Sequence, residues 1–225
     1  MDSIDHCPDS AGIAGLGPFF KKGVVFMSKR VITISRQFGS GGHSIGKKLA
    51  ERLGVPLYDN ELVTKIAEKS GFDVSFIKEN SEKTSRASGY FMDFGIHGGA
   101  GFTTLSLYDQ LYIAQHNIIR ELAEQESCVI VGRCADYVLE DREDTLHVLI
   151  YADDDYRAER IVRLYGERDI PIAKRMKKKD SRRESYYRHY TNREWGDYKN
   201  YAVCLNTAQV DEDTCVDLIV DLFNK

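Results

Sequence analysis

Between Val31 and Ala50 the chain runs Val-Ile-Thr-Ile-Ser-Arg-Gln-Phe-Gly-Ser-Gly-Gly-His-Ser-Ile-Gly-Lys-Lys-Leu-Ala. The order is an apolar β-branched run, a glycine turn, then a helical repeat. A glycine turn that opens a helix can hold an anion. The first helical N–H groups have no intrahelical partner, the helix start carries partial positive charge, and glycine lets oxygen atoms approach the backbone. Gly39, Ser40, Gly41, Gly42, His43 and Ser44 would form that cradle, with Ser40 and Ser44 adding hydroxyl donors. The strict phosphate-loop pattern is G-x-x-x-x-G-K-[ST]. Here Arg36 takes the first glycine position, Gly41 the second, Gly42 the lysine position and His43 the hydroxyl position. Transfer of a phosphoryl group needs positive charge near the loop. Arg36, leaving the strand at the base of the turn with a planar fork suited to phosphate, is the first candidate to supply it. Read without any ligand, the same turn is a structural corner between strand and helix.

Asp59 and Arg133 each follow an apolar run, in Tyr58-Asp59 and Gly132-Arg133. Together they suit an acceptor site, with Arg133 for a phosphate and Asp59 for a hydroxyl proton or a hydrated magnesium ion. Asp59 could equally cap a helix beginning at Asn60. Farther on, Tyr156 to Arg193 contains thirteen Lys/Arg against five Asp/Glu, in a chain whose net charge is -4. Arg175, Lys179 and Arg182, with Arg183 beside them, recur at helical spacing and point to bound phosphate or to a solvated helix edge. Tyr186, Tyr187, Tyr190, Trp195, Tyr198 and Tyr201 lie among these basic residues. Stacking on single-stranded nucleic acid is one reading. Packing of a helical arm onto the body, or a homodimer contact, is favoured, because tyrosines at i and i+4 mark a helix face. Asp153–Asp155 reads as helix-start charge rather than a metal site.

The elements that must position these residues alternate. Strands are expected over 31–35, 55–59, 128–133, 146–152 and 201–206. Helices are expected over 44–53, from Asn60 onward, 72–78, 105–125, 153–165, 170–193 and 211–223. Such alternation predicts an α/β fold around a parallel sheet, with ligands beyond the carboxyl ends of its strands. The segment 81–104 is glycine-rich without periodicity and reads as a flexible loop over a site.

The composition, 42% hydrophobic and 29% charged, is that of an ordinary globular domain. No apolar run approaches the roughly 20 residues that a bilayer span needs. The five cysteines show no CxxC pair and read as free thiols, which favours a cytoplasmic protein. Residues 1–26 differ in character from the rest of the chain and read as a disordered or non-native extension ahead of a domain over 27–225, Met27 being a natural start.

From about Lys29 onward the chain resembles the cytidylate kinase-like family of the nucleoside monophosphate kinase group. The resemblance rests on Ile34–Ala50 with its Gly39-Ser-Gly41, on Tyr58-Asp59, on Gly132-Arg133, on Tyr151–Arg160 and on Lys179-Asp-Ser-Arg-Arg183. Gly42 in place of lysine and Cys134 in place of an aspartate depart from the family's enzymes, and 81–104 has no counterpart to their cytidine-reading insert. The resemblance implies a P-loop NTPase-type three-layer sandwich, with a central parallel five-stranded sheet and a helical lid over about 166–200. It also implies ATP with Mg2+ as phosphoryl donor and a small acceptor, CMP or dCMP among the candidates. ATP would lie on Gly39–Ser44, with Ser44 facing the metal through water. Arg175 and Lys179 would assist its binding, Arg182 and Arg183 would close over the transferring group, and Asp59 and Arg133 would take the acceptor. A nucleotide- or phosphometabolite-binding protein without transfer is the alternative that Gly42 keeps open. Nucleic acid and membrane are not expected partners.

Overall fold

A computed structural model describes residues 31–59, 65, 69, 71, 73–80 and 105–225. The N-terminal extension at 1–26, the expected loop at 81–104 and the Asn60 cap lie outside the described residues. Five strands are described: β1 (Val31–Arg36), β2 (Leu57–Tyr58), β3 (Cys128–Val131), β4 (Thr145–Tyr151) and β5 (Val203–Asn206). They form one sheet in the order β2-β3-β1-β4-β5, and every pairing is parallel. The helices are α1 (Gly42–Leu53), α2 (Val74–Asn80), α3 (Leu107–Gln125), α4 (Ala135–Val138), α5 (Asp154–Tyr165), α6 (Ile172–Thr191) and α7 (Glu212–Phe223). Each expected strand is present within two or three residues of its expected ends. The four-residue α4 is not legible in the sequence.

Local chemistry sets the helix ends. Gly54 closes α1 in the left-handed conformation at φ 67°, which costs glycine nothing. Ser106 starts α3 by accepting the Asp109 N–H, and Asp211 starts α7 by accepting from Asp213 and Thr214. Asp153 precedes α5, with Asp154 and Asp155 in its first turn, where carboxylates complement the helix dipole.

Strand alternation then sorts the core into two layers. Ile32, Ile34, Val129, Val131, Val148 and Ile150 face α1 and α7, where they meet Ile45, Leu49, Val216 and Ile219. Val31, Cys128 and Ile130 face the other way, onto Leu111, Ile118, Ile119 and Leu122 of α3 and onto Ala135 and Val138 of α4. Each buried Val, Leu or Ile among them contributes about 1.5–3 kcal/mol by leaving water. This double packing fixes the carboxyl ends of β1, β2 and β3 as one rim. Since β1 leads into a helix on one face and β3 into a helix on the other, a crevice opens between them.

Cys128, Cys134 and Cys215 are buried and Cys204 is half-buried. Burial pushes the Cys215 thiol up to about 11, with the carboxylates of Asp211 and Glu212 adding to the shift. No helix among the described residues is long and apolar enough to cross a membrane.

Candidate phosphate site

The turn after β1 has the geometry of an anion cradle. Gly39 and Gly41 adopt φ of 87° and 89°, the left-handed region that other residues enter at a cost. Neither has room for a side chain, since a Cβ at Gly39 would press on Ile161 and one at Gly41 would meet Glu212 Oε1 at 2.9 Å. No side chain caps α1, and its first intrahelical bond is Ile45 N–H to Gly41 O at 3.0 Å. The N–H groups at the start of α1 are therefore available to a ligand.

Arg36 explains the missing lysine. A Cβ placed on Gly42 would sit 2.5 Å from Arg36 Cβ and 3.0 Å from its Cγ. The room beside the loop holds one side chain, rooted at 36 or at 42. The strict pattern puts glycine first and lysine near the end, and this chain exchanges the two. Gly132 completes the channel, because a Cβ there would overlap Arg36 Nη1. The Arg36 guanidinium reaches 3.9 Å from Asp59 Oδ1, and His43 Nε2 lies 3.3 Å from Asp59 Oδ2. A cavity of ≈400 Å³ lies over the loop, and its charged lining is Arg36, Arg160 and Arg183 against Asp59 alone, with His43 at its edge.

Helices α5 and α6 hold the loop from above. Asp180 accepts the Phe38 N–H at 2.8 Å and the Arg157 guanidinium at 2.5 Å. Arg157 also donates to Phe38 O and pairs with Asp154. Burial works against its charge, but the bonds and charges of Asp154 and Asp180 outweigh that and hold its pKa above the usual arginine value. Arg183 donates to Arg36 O at 3.0 Å, and Arg160 donates to both Ser44 Oγ and Glu212 Oε1.

Several expected site residues stand elsewhere. Ser40 is fully buried, and its hydroxyl lies 3.0 Å from both Gln37 O and Ile150 O, so it serves the fold and faces no anion. Arg182 does not share the loop cavity with Arg183. It lines an adjoining cavity of ≈520 Å³ with Arg175, Lys178 and Lys179, beyond the stacked rings of Phe38 and Tyr165. Arg175 and Lys179 therefore do not face the loop either. Successive helix positions differ by about 100°, which is enough to send two neighbouring arginines to different cavities. The tyrosine cluster packs inward. Tyr186 and Tyr187 are buried, and Tyr112 stacks on Tyr190 at 3.9 Å. Tyr198 is the exposed member.

On the acceptor side, Asp59 and Arg133 stand at the ends of the paired strands β2 and β3. Gly132, Arg133 and Cys134 have φ of 78°, 59° and 55°, and for the two non-glycine residues this stores strain. Arg133 lines a narrow cleft that also borders Arg36 and Arg183. Just behind, buried Asp136 accepts from Tyr187 at 2.7 Å and from Ser35 at 3.4 Å. Desolvation raises its pKa despite both bonds. Asp136, Arg157, Arg160 and Asp180 are the functional-site neighbours that sequence reasoning did not single out. Arg157 and Arg160 are three apart, which sets both on one helix face, but nothing in the sequence marks that face as buried.

The residues fit a chain of phosphate groups: backbone donors, a glycine floor with no space for Cβ atoms, and three guanidinium groups converge on one hollow. Among the described residues no group of three or more His, Cys, Asp or Glu is arranged to hold a metal. If a magnesium ion came with the phosphates, Asp59 and Ser44 would be the nearby oxygen donors.

Comparison with known proteins defines the class. The model of the cytidylate kinase-like family matches residues 31–209. The fold is shared with shikimate kinase from Bacteroides thetaiotaomicron, at 16% identity over 87% of this chain and 98% of that one, with a TM-score of 0.52. It is shared as well with shikimate kinase from Acinetobacter baumannii, at 15% identity over 88% and 94%, with a TM-score of 0.50. The architecture is the α/β sandwich of P-loop kinases. The chain belongs to the cytidylate kinase-like family. An uncharacterized protein from Eubacterium ventriosum is similar at 31% identity, over 88% of this chain and 99% of that one, with a TM-score of 0.66. No curated protein sequence matches the chain.

Proposed function

We propose that this protein transfers a phosphoryl group from ATP to a small acceptor bound at the ends of β2 and β3. The observation that carries the reading is the exchange of side chains across the loop: Arg36 fills the space that a side chain at 42 would need. The loop N–H groups and Arg160 hold the donor phosphates, and Arg36 neutralises charge on the group in transit. Arg183, fixed by its bond to Arg36 O, closes the cavity from α6. Asp59 orients the acceptor and takes its proton where the attacking group is a hydroxyl. Arg133 binds an acceptor phosphate, whose own oxygen attacks where the acceptor is a nucleoside monophosphate. Magnesium, when bound with ATP, supplies further charge neutralisation on the phosphate oxygens. A nucleoside monophosphate such as CMP or dCMP is the acceptor class that family membership favours.

The test is a turnover panel with ATP and CMP, dCMP, UMP or AMP, followed by hydroxylated metabolites. Arg36→Ala should lower triphosphate affinity or turnover about 10- to 150-fold, the ~1.5–3 kcal/mol of a charge-assisted hydrogen bond. Wild-type behaviour in that variant would remove Arg36 from the site. A second reading, a nucleotide-binding protein without transfer, draws on Gly42. Tight ATP binding with no turnover across the whole panel would favour it.

A further inference from the structure

The half of the sheet formed by β4 and β5 carries a hollow that the phosphate loop does not use. Side chains alternate along a strand. Val148 and Ile150 enter the core under α1 and α7, so Leu149 and Tyr151 face the other way. Cys204 stands beside Leu149 in parallel register. On this face α3 and α4 pack on the β1 and β3 side, whereas above β4 and β5 the cover comes from the segment after α6, with Trp195 and Tyr198. Between floor and cover lies a cavity of ≈350 Å³, within the ~300–1,000 Å³ range of small-molecule sites.

Among the described residues its lining holds no charged side chain. Three aromatic side chains, Tyr151, Trp195 and Tyr198, surround it, and Gln37 contributes an amide at its edge. Tyr151 is 36% exposed and Tyr198 70% exposed, so a ligand can enter from solvent. The Gln37 carbonyl oxygen Oε1 accepts the Ala152 N–H at 3.1 Å, which fixes the amide. Among the described residues no protein acceptor takes its Nε2 donors. Lys199 Nζ lies over the Tyr198 ring at 6.0 Å from its centroid, but the lining itself offers a phosphate no charged partner to offset its desolvation. Aromatic faces with one directed amide donor suit a flat ring that carries a hydrogen-bond acceptor. We infer that this hollow binds an uncharged planar heteroaromatic ligand, a nucleobase or unphosphorylated nucleoside, stacked on the aromatic side chains and bonded to Gln37 Nε2. The hollow shares Gln37 with the phosphate cavity and Trp195 with the cleft that Arg133 lines, so it adjoins both and coincides with neither.

Trp195 is the single tryptophan of the chain and lines both this hollow and the Arg133 cleft. Quenching therefore belongs to the hollow when Tyr198→Ala weakens it and Arg133→Ala does not, and the opposite pattern overturns the inference. The full-length protein is titrated with cytidine and with adenosine while Trp195 emission is followed. Saturable quenching by at least one of the two is expected. Tyr198→Ala should weaken it about 5- to 150-fold, the equivalent of ~1–3 kcal/mol of base–aromatic stacking. Cys204→Leu, which fills the floor, should abolish it. A non-hydrolysable ATP analogue should not displace the nucleoside, and Arg36→Ala should leave the quenching intact while weakening the analogue. Absence of saturable quenching by both nucleosides at millimolar concentration overturns the inference, as does competition by the analogue or wild-type affinity in Tyr198→Ala. Analogue binding without nucleoside quenching sinks this site and leaves the proposed phosphotransferase standing, and the reverse result separates the two the other way.

Discussion

Around the loop, the side chains of Arg36, Arg157, Arg160 and Arg183 are 15%, 6%, 10% and 14% exposed. Asp59 stands 3.9 Å from Arg36, Asp154 and Asp180 hold Arg157, Glu212 holds Arg160, and the Arg36 carbonyl holds Arg183. Beyond the Phe38–Tyr165 stack, Arg168, Lys178 and Lys179 are exposed, Arg175 and Arg182 are half-buried, and among the described residues no carboxylate lines the cavity. Both groups are dense in cations, yet they differ in how the charge is held. Guanidinium groups fixed in a low-dielectric setting are organised before a ligand arrives and act at contact distance. Exposed cations act through a diffuse field that salt screens within about 10 Å. A count of basic residues conflates the two, and the difference between them can be broken experimentally at three points.

The largest effect is expected at the latch. Asp180→Ala removes the acceptor of the Phe38 N–H and one partner of buried Arg157. Breaking a buried pair costs ~3–5 kcal/mol. Asp180 is 17% exposed and Arg157 keeps Asp154, so a loss of about 2–3 kcal/mol is expected in chemical denaturation. Asp180→Asn keeps an acceptor for Phe38 and should lose less. If the alanine variant unfolds at the wild-type denaturant concentration, the loop is not held by α6, and the preorganised half of the contrast fails.

The exchange across the loop comes next. Gly42→Lys alone drives its Cβ into Arg36 and should destabilise by ~1–3 kcal/mol, the range for overpacking. Adding Arg36→Gly restores the first glycine and the lysine of the strict pattern, with His43 still at its hydroxyl position, and should recover most of that stability. Affinity for a triphosphate analogue should recover with it, a non-additivity that thermal melts and calorimetry both read. Additive losses would show that the two positions do not compete for one space.

These sites also mark where the sequence is transparent. The sheet, the loop and the strand-end positions of Asp59 and Arg133 follow from β-branched runs, glycine spacing and helical periodicity, all local in the chain. Ser40 misleads because its type suits an anion site while its direction is set by Ile150, 110 residues away. Arg182 and Arg183 share one charge and one motif, and only the packing of α6 against the loop sends one to the phosphate cavity. Asp136 sits in the short α4 that the sequence does not reveal. Its burial depends on Tyr187 arriving from α6. Local pattern carries element type and glycine geometry, but the orientation of polar side chains across long separations is a tertiary result.

The smallest effect should come from the outer cavity, and it completes the contrast. Arg175→Gln combined with Lys178→Gln removes two positive charges from that lining. Half-buried or exposed substitutions away from ion pairs leave stability within about 0.5 kcal/mol. Affinity for a triphosphate analogue at low salt should fall about 1.5- to 5-fold, the ~0.2–1 kcal/mol that exposed charges contribute. That deficit should vanish at high salt, because the field it removes is screened. The deficit of Arg36→Ala should persist under the same conditions, because a contact made inside a part-buried cavity is screened far less. Titrations of both variants across a salt series separate the two kinds of cation. If both deficits fade in parallel, Arg36 acts through the bulk field like its exposed neighbours, and the loop owes its binding to backbone donors alone.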